Sequence, residues 1–236
     1  MTSRLCGKLL HRWVWNLRYA APFASRHEYP IAAVPGDTPR YPLGPTALPG
    51  QYSVRLAVDG KTYAAPLLVK MDPRVKISEA GLETKFETEM KLSALMSRAS
   101  EAVLQAGSMR NQLEKVEKQA SGSAKQSIAD FQKKLAAILG GPSGATTETE
   151  QITLGQANGQ VTTLYGQIWQ VDAAPTAAQL EAVASTERDL TEVIKQWNSF
   201  RSADLGALNR ELRAAGLPEL EAASGAYTEE GPLDEE

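Results

Sequence analysis

The places where this chain could do chemistry are few: two histidines, one cysteine, a scatter of carboxylates and one run of aromatic residues. A metal needs several ligands that converge. His11, His27 and Cys6 show no His-x-x-x-His or Cys-x-x-Cys spacing, and no acidic calcium loop is present. His11 falls within a strand-like run and His27 in a proline-rich stretch, so structural or solvated roles are expected for both. Nucleophilic catalysis has no Gly-x-Ser-x-Gly elbow to work from, and Cys6 lies near the terminus without an obvious base. The run Gly140-Gly141-Pro142-Ser143-Gly144 lacks the Gly-Lys-Ser/Thr ending and preceding strand of a phosphate cradle. It reads as a flexible interhelix loop. The helical carboxylates alternate with lysine and arginine as on a solvated face, whereas paired acid and base catalysis needs two carboxylates fixed across a cleft. The expectation is a chain that is not an enzyme, with no catalytic, cofactor-binding or metal-ligating residue.

The aromatic run is the one suggestive feature. Residues 11–19 alternate, with His11, Trp13, Trp15, Leu17 and Tyr19 on one face of a strand. Trp13, Trp15 and Tyr19 could form a stacking platform for a sugar ring or for a partner's apolar patch. The competing reading makes the same stripe the core side of a sheet. Trp169 and Trp197, each on a helical stripe, read as core.

The elements that would position these residues follow from composition and period. The chain has 236 residues, 42% of them hydrophobic, enough for one large domain or two modest ones. Twenty-five basic residues against 28 acidic ones leave no excess to neutralise phosphates, so nucleic acid is not expected as a partner. The single cysteine permits no internal disulfide. No apolar stretch approaches the roughly 18 residues of a membrane span, and residues 1–10 carry no signal-peptide core. Residues 1–10 are read as an irregular terminus.

Nine of the thirteen prolines lie between Pro22 and Pro73, and none falls between residues 76 and 120. This contrast divides the chain into a β part (11–75), a helical part (76–220) and an acidic tail (221–236) expected to be disordered, most clearly from residue 227. In the β part, Tyr52, Val54, Leu56 and Val58 alternate inward. Asp59-Gly60 follows, then a second run to Met71, which predicts a type I′ hairpin. The prolines before it forbid a regular ladder and leave room for one short edge strand at residues 31–34. In the helical part the apolar spacing predicts a long helix from residue 78 to about 119, with Gly107 as its weak point. At 1.5 Å per residue it would span roughly 60 Å, so it must bend or protrude as part of a helical hairpin. Further helices are expected from about residue 124 to 139, 152 to 172, 176 to 200 and 204 to 215, the fourth opened by a Thr176/Gln179 capping box.

Three segments carry a family resemblance: His11-Arg12-Trp13-Val14-Trp15-Asn16-Leu17-Arg18-Tyr19, Pro49-Gly50-Gln51-Tyr52-Ser53-Val54-Arg55-Leu56, and Val69-Lys70-Met71-Asp72-Pro73-Arg74. Together with Leu208-Asn209-Arg210-Glu211-Leu212-Arg213-Ala214-Ala215-Gly216-Leu217-Pro218, they make the chain resemble the C-terminal region of bacterial BNR-repeat, sortilin-like β-propeller proteins. These are often labelled glycosyl hydrolases. The resemblance implies an immunoglobulin-like or fibronectin-like β segment followed by a closing helical region. It also implies a secreted or periplasmic parent, and a hydrolase activity that would belong to propellers this chain lacks. The expected fold is α+β, mainly α: a partial immunoglobulin-like segment, open at its edge, then a four-helix bundle with long helical hairpins. The expected role is a non-catalytic structural or protein-interaction module, binding a protein partner or itself, with carbohydrate binding through Trp13, Trp15 and Tyr19 as the alternative.

Overall fold

The computed structural model describes residues 13–29, 38–140 and 151–221. The expected edge strand at 31–34, most of the interhelix loop at 140–144, the terminus with Cys6 and His11, and the acidic tail beyond Glu221 lie outside the described residues. The fold is mainly helical α+β: one antiparallel pair, β1 (Gly50–Val58) and β2 (Lys61–Val69), precedes α1 (Glu79–Glu117), α2 (Gly122–Leu139), α3 (Leu154–Trp169) and α4 (Ala177–Ala214).

Three of the four helices, α1, α3 and α4, start where a side chain takes up an orphan N–H group. Ser78 accepts from the Gly81 N–H, and Thr153/Gln156 and Thr176/Gln179 each form the reciprocal capping box. The box at Thr176 is the one the spacing predicted. α1 packs against each of the other helices, and α4 closes against α2 and α3. They share one core in which Leu92, Met96, Met109, Leu113, Ile128, Tyr165, Leu190 and Trp197 are essentially sealed from solvent. Trp169 and Trp197 are core residues, as their stripes suggested.

Several boundaries and faces differ from the sequence reading. α1 runs unbroken through Gly107, because one glycine costs a helix interior about 1 kcal/mol and buried neighbours on both sides, Ala106 and Met109, outweigh it. The separate closing helix expected at 204–215 is the end of α4. The intervening residues, Arg201, Ser202 and Ala203, contain no breaker, and Phe200, Leu205 and Leu208 keep the buried phase. At the start of α1 the buried face is polar: Lys85, Thr88 and Glu89 occupy it, while Met90 is exposed. Glu89 thereby corrects the expectation that the helical carboxylates all lie on the solvated face.

The strand expected at residues 11–19 is absent from the described part of that run. Leu17 adopts φ of 58°, a left-handed conformation that no ladder tolerates. Asn16 drives the bend, since its side-chain oxygen accepts the Arg18 N–H at 3.1 Å, and Trp15 Nε1 donates to the Arg18 carbonyl at 2.9 Å. What remains of pairing is a single bridge between Arg18 and Thr46. Gly44 lies beside it because a Cβ there would come within 2.0 Å of the Tyr19 carbonyl oxygen.

The hairpin has the predicted turn and register. Asp59 and Gly60 take φ of 49° and 75°, and Val58 faces Lys61, Leu56 faces Tyr63 and Val54 faces Ala65. Its expected inward face is nevertheless uncovered: Val54, Leu56, Val58 and Tyr63 are all exposed. The alternation is correct, but no element of the described chain packs over it.

Candidate functional site

The N-terminal segment lies on the face of α1 and α3 and is tied there by half-buried polar contacts. Ser97 Oγ accepts the Phe23 N–H at 3.0 Å, and Asn158 links Ser100 to Ser25. Tyr165 donates its hydroxyl to the Leu43 carbonyl at 2.7 Å. Burial, and secondarily the charge of Glu89, pushes the Tyr165 phenol well above its ordinary range, with Arg18 opposing. Arg18 donates to the Gly44 carbonyl and Thr46 Oγ1 while its guanidinium lies 4.9 Å from the Trp169 ring.

Beside this seam is a cleft of about 200 Å³ bordered by Leu17, Thr46, Pro49, Met71, Phe86 and Glu89. On its floor, Lys85 Nζ and Glu89 Oε1 form an ion pair at 2.6 Å with side chains 7% and 1% exposed. The second carboxylate oxygen accepts the Thr46 N–H at 2.9 Å. Both oxygens of Glu89 therefore already hold a donor, and the group anchors the 44–47 segment to α1 instead of presenting a base to the cleft. Sequence reasoning missed this pair, although its signal was present: Lys85 and Glu89 are in phase with Leu92, Met96 and Ala99.

Of the predicted stacking residues, Trp13 is 73% exposed, Tyr19 is 46% exposed and Trp15 is half-buried. This corrects the core reading of the stripe. Trp15 meets Tyr52 edge-on at 5.4 Å, and Tyr19 lies 5.3 Å from Phe86 on α1. Trp15 and Tyr19 thus lie at the junction between the hairpin base and α1. Tyr52 is fixed there by donating to the Leu48 carbonyl at 2.7 Å, and burial, with the nearby Tyr19, raises its phenol above the ordinary value.

A second groove, about 170 Å³, runs between α1 and α4 past Arg98, Gln105, Asn198 and Arg201. Trp197 Nε1 and Arg201 Nε lack hydrogen-bond partners there, but both nitrogens are sealed from solvent, so a ligand in the groove cannot reach them as the side chains stand. Arg201 instead reaches Gln105 Oε1 at 2.8 Å. Among the described residues no group of three or more His, Cys, Asp or Glu side chains could hold a metal ion. No described helix is long and apolar enough to cross a membrane.

The conspicuous surface is thus the hairpin. Tyr52, Val54, Leu56, Val58, Tyr63, Ala65 and Leu67 share one face by register, and its outer part is bare. No family model, curated protein or solved structure matches the chain.

Proposed function

We propose that this chain is a non-catalytic structural or protein-interaction module whose hairpin is the docking element and whose helices form a four-helix bundle serving as its rigid base. The observation that carries the reading is the bare apolar face of the hairpin, with Leu56 and Tyr63 each 57% exposed beside a helical core that is well covered. An apolar sheet face left open in this way marks a contact surface. In the resemblance to propeller-protein C-termini, the hairpin corresponds to part of an immunoglobulin-like sandwich, and the chain to the end of a larger secreted protein. Any glycoside hydrolysis would then reside outside these residues. The test is amide exchange over residues 51–57, measured on the chain alone and joined to the polypeptide encoded upstream. Slower exchange in the longer protein supports the reading; equal, rapid exchange in both overturns it.

The exposure of Trp13 favours a second reading, carbohydrate binding. Glycan-array binding that Trp13→Ala abolishes without changing the circular dichroism would establish it. Arrays silent for the unaltered protein would exclude it.

A further inference from the structure

We infer that the partner of β1 is a second copy of this chain, which adds its own β1 antiparallel to the first and makes a four-stranded sheet. The inference rests on the hairpin being a docking element, and adds which edge docks, in what register and to what.

The two outer edges of the hairpin are not equivalent. In a hairpin with a two-residue turn, the residues flanking the turn exchange both hydrogen bonds, and every second residue from there does the same. Val58, Leu56, Val54 and Tyr52 therefore turn their N–H and C=O groups to β2, while Gln51, Ser53, Arg55 and Ala57 turn theirs outward. On β2 the outward set is Thr62, Ala64, Pro66 and Leu68. Pro66 has no N–H, so it interrupts that edge at its middle and protects it from strand addition. The edge of β1 has no such interruption, and among the described residues no strand pairs with it.

The sequence of β1 is also complementary to itself. Antiparallel pairing centred on Val54 overlaps all nine residues, Gly50 opposite Val58 of the second copy. Tyr52 then faces Leu56 of the second copy and Val54 faces Val54, which continues the apolar face across the two-fold axis. On the other face Arg55 lies opposite Ser53 of the second copy, so no like charges are directly opposed. A shift of the axis by one residue towards the turn would set Arg55 against Arg55, at an electrostatic cost; a shift the other way would set Ser53 against Ser53, and either shortens the overlap within β1. Pairing of this kind is isologous and closes at two copies, because the second edge of each hairpin carries Pro66. A single strand edge is small beside the roughly 1,200 Å² of a standard interface, so the association is concentration-dependent.

Val54 opposite Val54 is a non-hydrogen-bonded pair, where Cα atoms approach to about 4.5 Å, within disulfide reach. In a Cys6→Ser background, Val54→Cys should give a covalent dimer on mild oxidation. Ala57→Cys, whose thiols would be about 20 Å apart at 3.4 Å per residue, should not. In sedimentation of the otherwise unaltered chain, Arg55→Pro should abolish dimerisation, and Ala64→Pro on the opposite edge should leave it in place. Circular dichroism verifies that each variant keeps its fold. Equal crosslinking of the two cysteine variants, dimerisation that survives Arg55→Pro, or a strict monomer at high concentration would overturn the inference. If the chain is a monomer, yet amides 51–57 become protected when the upstream polypeptide is attached, this inference falls while the docking role of the hairpin stands.

Discussion

The buried pair Lys85–Glu89 offers the sharpest test of how the N-terminal segment is held. Replacing Glu89 with Leu leaves an ammonium with 7% exposure and no counter-charge, and strips the Thr46 N–H of its acceptor. Breaking a buried ion pair from one side costs about 3–5 kcal/mol, which for a protein of this size lowers Tm by roughly 6–20 °C. Lys85→Met should cost about as much, because it isolates the carboxylate instead. The double variant Lys85→Met/Glu89→Leu removes both charges and leaves only the orphaned Thr46 N–H, a cost of about 1–3 kcal/mol. It should therefore be more stable than either single variant, and urea unfolding of the four proteins measures the coupling directly. Two single effects that simply add in the double variant would refute the pairing, and so would single effects under about 1 kcal/mol.

Three further outcomes follow from the contacts. Asn209→Ala removes the reciprocal bonds, both 2.9 Å, that clamp Leu220, and should cost about 2 kcal/mol with faster amide exchange at Leu220 and Glu221. Tyr165 has its phenol raised in the folded state, so it stays neutral while the unfolded chain ionises above the ordinary value of 10.0; stability should fall as pH rises past that point, and Tyr165→Phe should flatten the alkaline limb of a Tm-against-pH curve. Gly44→Ala places a Cβ 2.0 Å from the Tyr19 carbonyl oxygen and should release the Arg18–Thr46 bridge, seen as loss of protection at the Ala47 amide, which donates to the Leu17 carbonyl at 2.8 Å.

The helices were legible in sequence because three-and-four spacing and capping residues are local signals. Thr176 with Gln179 marked a helix start to the residue, and the helix end expected at about residue 215 falls at Ala214. There the Leu217 N–H bonds back to the Leu212 carbonyl at 2.9 Å, and the Gly216 N–H to that of Arg213 at 3.1 Å, the two bonds of a Schellman motif. The resemblance-bearing segments also have local structural uses: Asp72-Pro73-Arg74 is a turn closed by the Val75 N–H on the Asp72 carbonyl, and Asn209 is a clamp. What could not be read were the decisions made by distant partners. Alternation from Trp13 to Tyr19 looks like a strand until Asn16 finds the Arg18 amide, and Lys85 and Glu89 look solvated until the 44–47 segment covers them. The hairpin is the converse case: its pattern states correctly that one face is apolar, and a pattern cannot state what covers it.

That converse bears on how docking would work. An isolated two-stranded hairpin is marginal in water, and this one has few tertiary anchors, all near its base. Tyr52 is held by Leu48 and Trp15, and Leu67 and Val69 are half-buried, whereas residues 53–66 depend on the Asp59-Gly60 turn and on cross-strand pairs such as Leu56 with Tyr63. The distal half should open on its own more readily than the helical core, and a partner strand on β1 would have to hold it closed. Binding and ordering are then one equilibrium, and any change that loosens the turn weakens association without touching the interface. Replacing Gly60, at φ 75°, with Val should therefore weaken dimerisation even though its side chain lies outside the paired edge.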